Sequence, residues 1–266
     1  MEIAELLTAF WIEYICMMYM ASMSTGGHSE LLTLILSKFY TMSNKKIKNI
    51  ICLLGLVFIN PAAFSQSAED VKIGEQIWKI HNLNIEKFRN GDTILETVTD
   101  EDWKKANENH QPAWSYYNNK RGNGKKYGKL YNWYAVNDPR ELAPIGWHIP
   151  SDAEWTTLTN SLGGKKEAGA KMKSQKGWEN NYNGTNSSGF SGFPGGSRLS
   201  FDAKKILNVK STFKGMGDSG CWWSSTELNT NNAWYRLLLI YSCTGDDVSR
   251  HDYYKKGGMY VRCLKD

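Results

Sequence analysis

Close cysteine pairs are missing from this chain. Its five cysteines stand far apart, with no Cys-x-x-Cys run, which argues against a thiolate zinc site or a dithiol redox motif. A charge run of one sign is missing too. The formal net charge is only +5, and the lysine pairs Lys165-Lys166, Lys204-Lys205 and Lys255-Lys256 are isolated from one another. They read as solvated surface, because a nucleic-acid groove needs cations clustered on one face. Gly122, Gly124 and Gly128 miss the dinucleotide-loop spacing by one residue and lack a βαβ frame. Gly189-Phe190-Ser191-Gly192-Phe193 breaks the nucleophile-elbow pattern at its last position. The histidines His81, His110, His148 and His251 are dispersed. No catalytic constellation, cofactor or metal site is therefore expected, and Asp246-Asp247 is expected to form a hairpin turn.

What is present begins at Met42. Lys45, Lys46 and Lys48 precede an apolar run from Ile50 to Ile59, and Ala63-Phe64-Ser65 supplies small residues at the −3 and −1 positions of a cut before Gln66. That is the anatomy of a Sec-type signal peptide. The expected organisation is an upstream extension over 1–41 outside the fold, a signal peptide over 42–65, and one mature domain over 66–266. A membrane segment near residues 6–23 is the alternative for the extension. It is long enough for a bilayer of about 30 Å, but Glu13 near its centre is costly there. Cys52 lies inside the apolar run rather than after it, which favours release over lipid anchoring. The expected location is secreted or cell-surface associated, with no transmembrane anchor in the mature chain.

The mature stretch is rich in rings: ten of the eleven tryptophans follow residue 65. Gly is abundant and long helical patterns are few, a composition suited to a loop-rich α+β or mostly-β fold with large rings in its core. Val71 to Lys79 alternates around a glycine like two short strands and a turn. Ser151 and Glu154 form a capping box, and Trp155, Leu158 and Leu162 give the following helix one buried stripe. Gly163-Gly164 stops it. Glu167 to Lys173 reads as a second short helix, 174–200 as a long loop anchored by rings, and the last sixty residues as antiparallel strands near 221–227, 233–243, 248–254 and 259–264. Trp222, Trp223, Trp234 and Tyr235 are expected to alternate between core and surface.

Five segments, VKIGEQIWKIHNLN (71–84), YGKLYNWYAVNDPR (127–140), APIGWHIPSDAEWTTLTNSLGG (143–164), SSGFSGFPGGSR (187–198) and CWWSSTELNTNNAWYRLLL (221–239), with the closing YVRCLKD (260–266), resemble the Fibrobacter succinogenes major paralogous domain. The resemblance implies a secreted bacterial domain of C-type-lectin-like fold, with short antiparallel sheets, one or two helices and long ordered loops. In such a fold the first and last strands pair. It also implies a distant similarity to formylglycine-generating enzymes. Their paired reactive cysteines have no counterpart here, and the calcium-binding runs of sugar-binding lectins are absent as well. Cys263 fits the family's closing Val-Arg-Cys, whereas Cys221 and Cys243 look like additions. Cys221, Cys243 and Cys263 are thus disulfide candidates, with three free thiols as the alternative.

His148, between Trp147 and Ile149, reads as a hydrogen-bonded structural histidine, and Glu154 is explained by capping. Trp178, Tyr182, Tyr253 and Tyr254 lie in or beside loops and are candidates for an exposed ring platform. Arg198 and Glu227 are the polar candidates. The expected function is a secreted, non-catalytic module that binds an extracellular glycan or a cell-surface protein. A structural piece of a surface appendage or envelope assembly is the alternative, followed by an enzyme distantly related to formylglycine-generating enzymes. The loops of 174–218 and 244–257 would form the binding surface.

Overall fold

The turn at Gly74 opens the structure. This residue adopts φ +58°, and the strands on either side close into a hairpin from Asp70↔Lys79 to Ile73↔Gln76. The computed structural model describes residues 69–240 and 247–266. The upstream extension, the signal peptide, Cys243 and Asp246 lie outside them.

In chain order the strands are β1 (Asp70–Ile73), β2 (Gln76–Lys79), β3 (Leu95–Glu96), β4 (Ala113–Ser115), β5 (Leu130–Tyr131), β6 (Trp147–His148), β7 (Gly195–Arg198), β8 (Phe213–Met216), β9 (Ser219–Glu227), β10 (Asn232–Leu239), β11 (Val248–Tyr254) and β12 (Leu264–Lys265). The helices are α1 (Asp100–Glu108), α2 (Gly124–Tyr127), α3 (Trp133–Val136), α4 (Asp152–Ser161), α5 (Lys165–Met172) and α6 (Phe201–Ile206). This is a mixed α+β fold of several small sheets and few helices. One sheet has the order β1-β2-β12-β6, a second β11-β10-β9-β7-β8, and a third β3-β4-β5. The N-terminal hairpin therefore pairs with the last strand, through Leu264↔Trp78, and β12 continues onto β6 through Leu264↔His148.

The strand β9 decides where the core sits. It is the middle strand of the five-stranded sheet, and residues on alternate positions of a strand face opposite sides. Trp222 and Trp223 are both fully buried. Trp222 packs in a cluster with Trp78, Trp155, Phe190 and Tyr260, and Trp223 in another with Trp114, Tyr131, Trp133 and Val261. The expected alternation between core and surface is thus corrected for this pair: the two faces of β9 carry two cores. Each ring so buried is worth on the order of 2–3 kcal/mol.

Local signals set α4. Ser151 accepts from the Glu154 backbone N–H and Glu154 reaches back to the Ser151 N–H, completing the capping box. Trp155 and Leu158 are buried on its inner face, and Gly163 follows with φ +98°. The segment 259–264 differs from the strand expected there. It is an extended tether whose residues bond in turn to different partners: Met259 bridges Tyr131, Tyr260 bridges Trp222, and the carbonyls of Val261 and Cys263 accept from Leu83 and Lys79. Among the described residues no helix is long and apolar enough to cross a membrane.

Candidate functional site

The outer ribbon of the five-stranded sheet is made by β10 and β11. Their register sets Asn232 opposite Tyr254, Trp234 opposite Asp252 and Arg236 opposite Arg250, so these side chains share one face. Arg236 is buried and donates to Asp152 Oδ1 and Thr156 Oγ1 at the start of α4. Burial draws its pKa down, and the Asp152 carboxylate opposes that pull. Asp152 also accepts from Arg250 Nε at 2.9–3.0 Å. The Arg250 guanidinium carbon in turn lies over Trp234, 3.4 Å from the ring centroid. Beside this stack, Asn232 Nδ2 donates to Asp252 Oδ2 at 2.7 Å, and Tyr254 is exposed. The face thus offers two rings with donors and acceptors between them, each polar group already fixed by a neighbour.

Four of the expected site residues converge on the turn that follows β11. Tyr253 and Tyr254 enter it, with ring centroids 5.7 Å apart. Glu227 is exposed and accepts from Lys255 Nζ at 2.7 Å, and that buried ammonium lies 4.6 Å from the Trp133 ring. Arg198 exchanges two backbone hydrogen bonds of 2.8 Å with Gly258. Its side chain corrects the expectation of ligand contact. It is fully buried between Trp103 and Phe213, at 4.6 and 4.8 Å, and donates to Thr99 O and Asp100 Oδ1. Burial lowers its pKa to about 10, against the pull of Asp100. Arg198 therefore braces α1 against β7.

Trp178 requires a similar correction. It is buried, its indole N–H donates to Ser174 Oγ and Gly192 O at 3.2 Å, and the Lys173 ammonium sits 4.7 Å from its ring. It is a core ring rather than a platform. Tyr182 is 45% exposed, in a turn tied to Gly217 through the Glu179 N–H. Among the described residues neither shares a contact with the group around Tyr254.

Cys221 and Cys263 are buried free thiols, and burial pushes both up to about 12. At neutral pH such groups are protonated and poor nucleophiles. His148 is held as a structural histidine: Nδ1 lies 2.8 Å from Asp266 and Nε2 2.9 Å from Glu154. Both carboxylates line an open cleft of about 320 Å³ with Glu75, Gln76 and Leu264. Asp266 Oδ1 and Glu154 Oε1 are paired with His148, and Glu154 Oε2 accepts from the Ser151 N–H and hydroxyl at the cap of α4. Among the described residues no group of three His, Cys, Asp or Glu side chains is placed to hold a metal ion.

The sequence reading missed Arg250, Asp152, Asn232 and Asp252. The signal for Arg250 and Asp252 lay in a strand it did place, since two-residue periodicity puts 250 and 252 on one face. Asn232 falls before the strand expected from 233 and joins it only in the structure, opposite Tyr254. It also missed the buried cations. Lys129, Lys173, Arg198, Lys255 and Arg262 are each buried and each sit over an aromatic ring at 4.3–4.7 Å.

Together these features define a small mixed α+β domain with two ring-filled cores, braced by buried cations, and one polar–aromatic sheet face. The chain belongs to the Fibrobacter succinogenes major domain family, whose model matches residues 71–265, from β1 into β12. No curated protein and no solved structure matches it. Two of the most distinctive runs, Gly146 to Trp155 and Trp222 to Glu227, dock on one another. Ser225 N donates to Pro150 O, Asp152 N to Thr226 Oγ1, and the Trp155 indole to Trp223 O.

Proposed function

We propose that the chain is an exported, non-catalytic binding module on a C-type-lectin-like scaffold, and that it takes an extracellular glycan on the β10–β11 face. The observation that supports this reading is the fixed set of Trp234, Arg250, Asn232, Asp252 and Tyr254. A saccharide presents apolar C–H faces and rows of hydroxyls. Rings receive the first, and preorganised donors and acceptors receive the second. Arg250 loses little freedom on binding because Asp152 and Trp234 already hold it, which lowers the entropic cost of association. The signal-peptide pattern at 42–65 is the reason for placing the module outside the cell. A cell-surface protein is the second class of ligand, favoured by the exposed ring of Tyr254, a side chain of the type that anchors protein interfaces.

A glycan array with the purified protein tests the proposal. Binding to at least one polysaccharide is expected, weakened about tenfold or more in Trp234→Ala and Tyr254→Ala, with the fold unchanged by circular dichroism. Stable incorporation into a larger envelope complex with no polysaccharide bound would favour the assembly alternative. Turnover of a bound substrate would favour the enzyme alternative.

A further inference from the structure

β11 is the outer strand of its sheet, with β10 on one side and no described strand on the other. Which of its backbone groups face outward follows from the register. Lys255 N donates to Asn231 O at 2.8 Å, and the pairs 253↔233, 251↔235 and 249↔237 continue that alternation. The N–H and C=O groups of 249, 251 and 253 therefore point to β10, and those of Val248, Arg250, Asp252 and Tyr254 point away. The far side of the sheet agrees, because Trp223 N and Cys221 O bond to Tyr260 on the edge of β9 away from β10. Arg250, His251 and Asp252, in the middle of β11, are all exposed.

The strand is self-complementary. We propose that β11 pairs antiparallel with β11 of a second copy of this chain, about a two-fold axis through His251. That register aligns Arg250 with the partner's Asp252 and Asp252 with the partner's Arg250. Both are outward-facing residues, so each pair exchanges two backbone hydrogen bonds as well as opposite charge. At each end the register sets the backbone of Val248, whose side chain is buried in its own core, opposite the partner's Tyr254. The neighbouring registers that also satisfy the backbone place Arg250 on Arg250 or Asp252 on Asp252, and like charges directly opposite oppose pairing. The same-patch contact is the form a two-fold interface takes. It covers an edge that no described strand takes, beside the helix α5, which packs against β11. Because the axis is perpendicular to the sheet, both Trp234–Arg250 stacks fall on one continuous face, and a repeating ligand meets two sites at once.

Two measurements on the purified protein test this, and neither depends on any ligand. Sedimentation equilibrium is expected to show a concentration-dependent doubling of mass, and Asp252→Arg is expected to weaken it by at least about tenfold, since it makes both charged pairs repulsive. His251→Cys is expected to form a covalent dimer on mild oxidation. Directly opposed residues at such a position lie about 4.5 Å apart at Cα, within disulfide range. Ser249→Cys, which meets the partner's Tyr253, is expected not to cross-link. A single-chain mass at every concentration, with no preference for cross-linking at 251, overturns the proposal. A dimer that survives Asp252→Arg and cross-links equally at 249 and 251 also overturns it, because the interface then lies elsewhere.

Discussion

Arg262 is buried against Phe190 and donates to backbone and amide oxygens: Lys79 O at 2.9 Å, Phe190 O at 2.6 Å and Asn82 Oδ1 at 2.9 and 3.1 Å. Burial draws its pKa down to about 9, still far enough above neutrality to keep the charge. Each oxygen stranded without a donor costs about 1–3 kcal/mol. Arg262→Met is therefore expected to lose about 3 kcal/mol or more, read as a lower urea midpoint at unchanged slope. Arg262→Lys is expected to fall between, since an ammonium cannot reproduce the planar fork. His148 gives the pH dependence. Partial burial lowers its pKa, but hydrogen bonds to Asp266 and Glu154, with their charges, outweigh that and raise it. A raised folded-state pKa means stability that is full below the unfolded value of about 6.5 and lost as pH rises through the folded value. Glu154 works in the opposite sense. Burial raises its pKa, yet Ser151 and His148 bring it below its ordinary value, so its contribution is lost as pH falls through that lowered value. His148→Gln is thus expected to cost more near pH 5.5 than near pH 8, by less than about 1 kcal/mol at this half-exposed site. Thermal melts at the two pH values check the sign.

At the scale of elements, the junction of α4 with β9 ties the fold to the candidate site. Ser151 caps the helix, Thr226 accepts from the Asp152 N–H, and the Asp152 carboxylate holds both Arg236 and Arg250. Ser151→Ala is expected to cost about 1 kcal/mol, within the 0.5–2 range for a lost cap. Thr226→Val strips a second acceptor from the same helix end, so the two losses are expected not to add when combined, as chemical denaturation of the double variant would show. The legibility of the elements follows the range of the forces that make them. The capping box, the Gly163-Gly164 stop and the Gly74 hairpin are local, and each stood in the sequence. The helix α6 and strand β8 did not. Both are short and lack a periodic apolar face, and β8 is held by pairing to β7 from Gly195↔Met216 to Arg198↔Phe213. Gly196 shows why that region reads as loop: it adopts φ +71°, and a Cβ there would lie 2.5 Å from the Lys214 carbonyl oxygen. The site was half legible for the same reason. Rings near loops marked Tyr254, but nothing local showed that Trp103 and Phe213 would bury Arg198, or that Trp178 would join the core rather than the surface.

Across the whole molecule, the last eight residues hold the most separated parts together. Met259 exchanges backbone hydrogen bonds with Tyr131. Tyr260 joins the edge of β9, Val261 and Cys263 accept from the N-terminal segment, and Leu264 pairs with both Trp78 and His148. Contacts so distant in sequence form only after a long loop has closed, and the closure entropy is repaid only when the final segment docks. The side chains of Met259, Tyr260, Val261 and Leu264 are all buried. At on the order of 2 kcal/mol each, their loss is comparable to the whole stability of an ordinary domain, about 5–15 kcal/mol. A chain ending after Gly258 is therefore expected not to fold. Its near-ultraviolet circular dichroism and its cooperative urea transition should both be absent. A chain lacking only Lys265 and Asp266 keeps Leu264 and the tether. It is expected to unfold cooperatively, with the acid-side stabilisation by His148 reduced through loss of the Asp266 carboxylate. A cooperative transition in the shorter chain would show that the hairpin of β1 and β2 and the two ring-filled cores assemble without the closing segment.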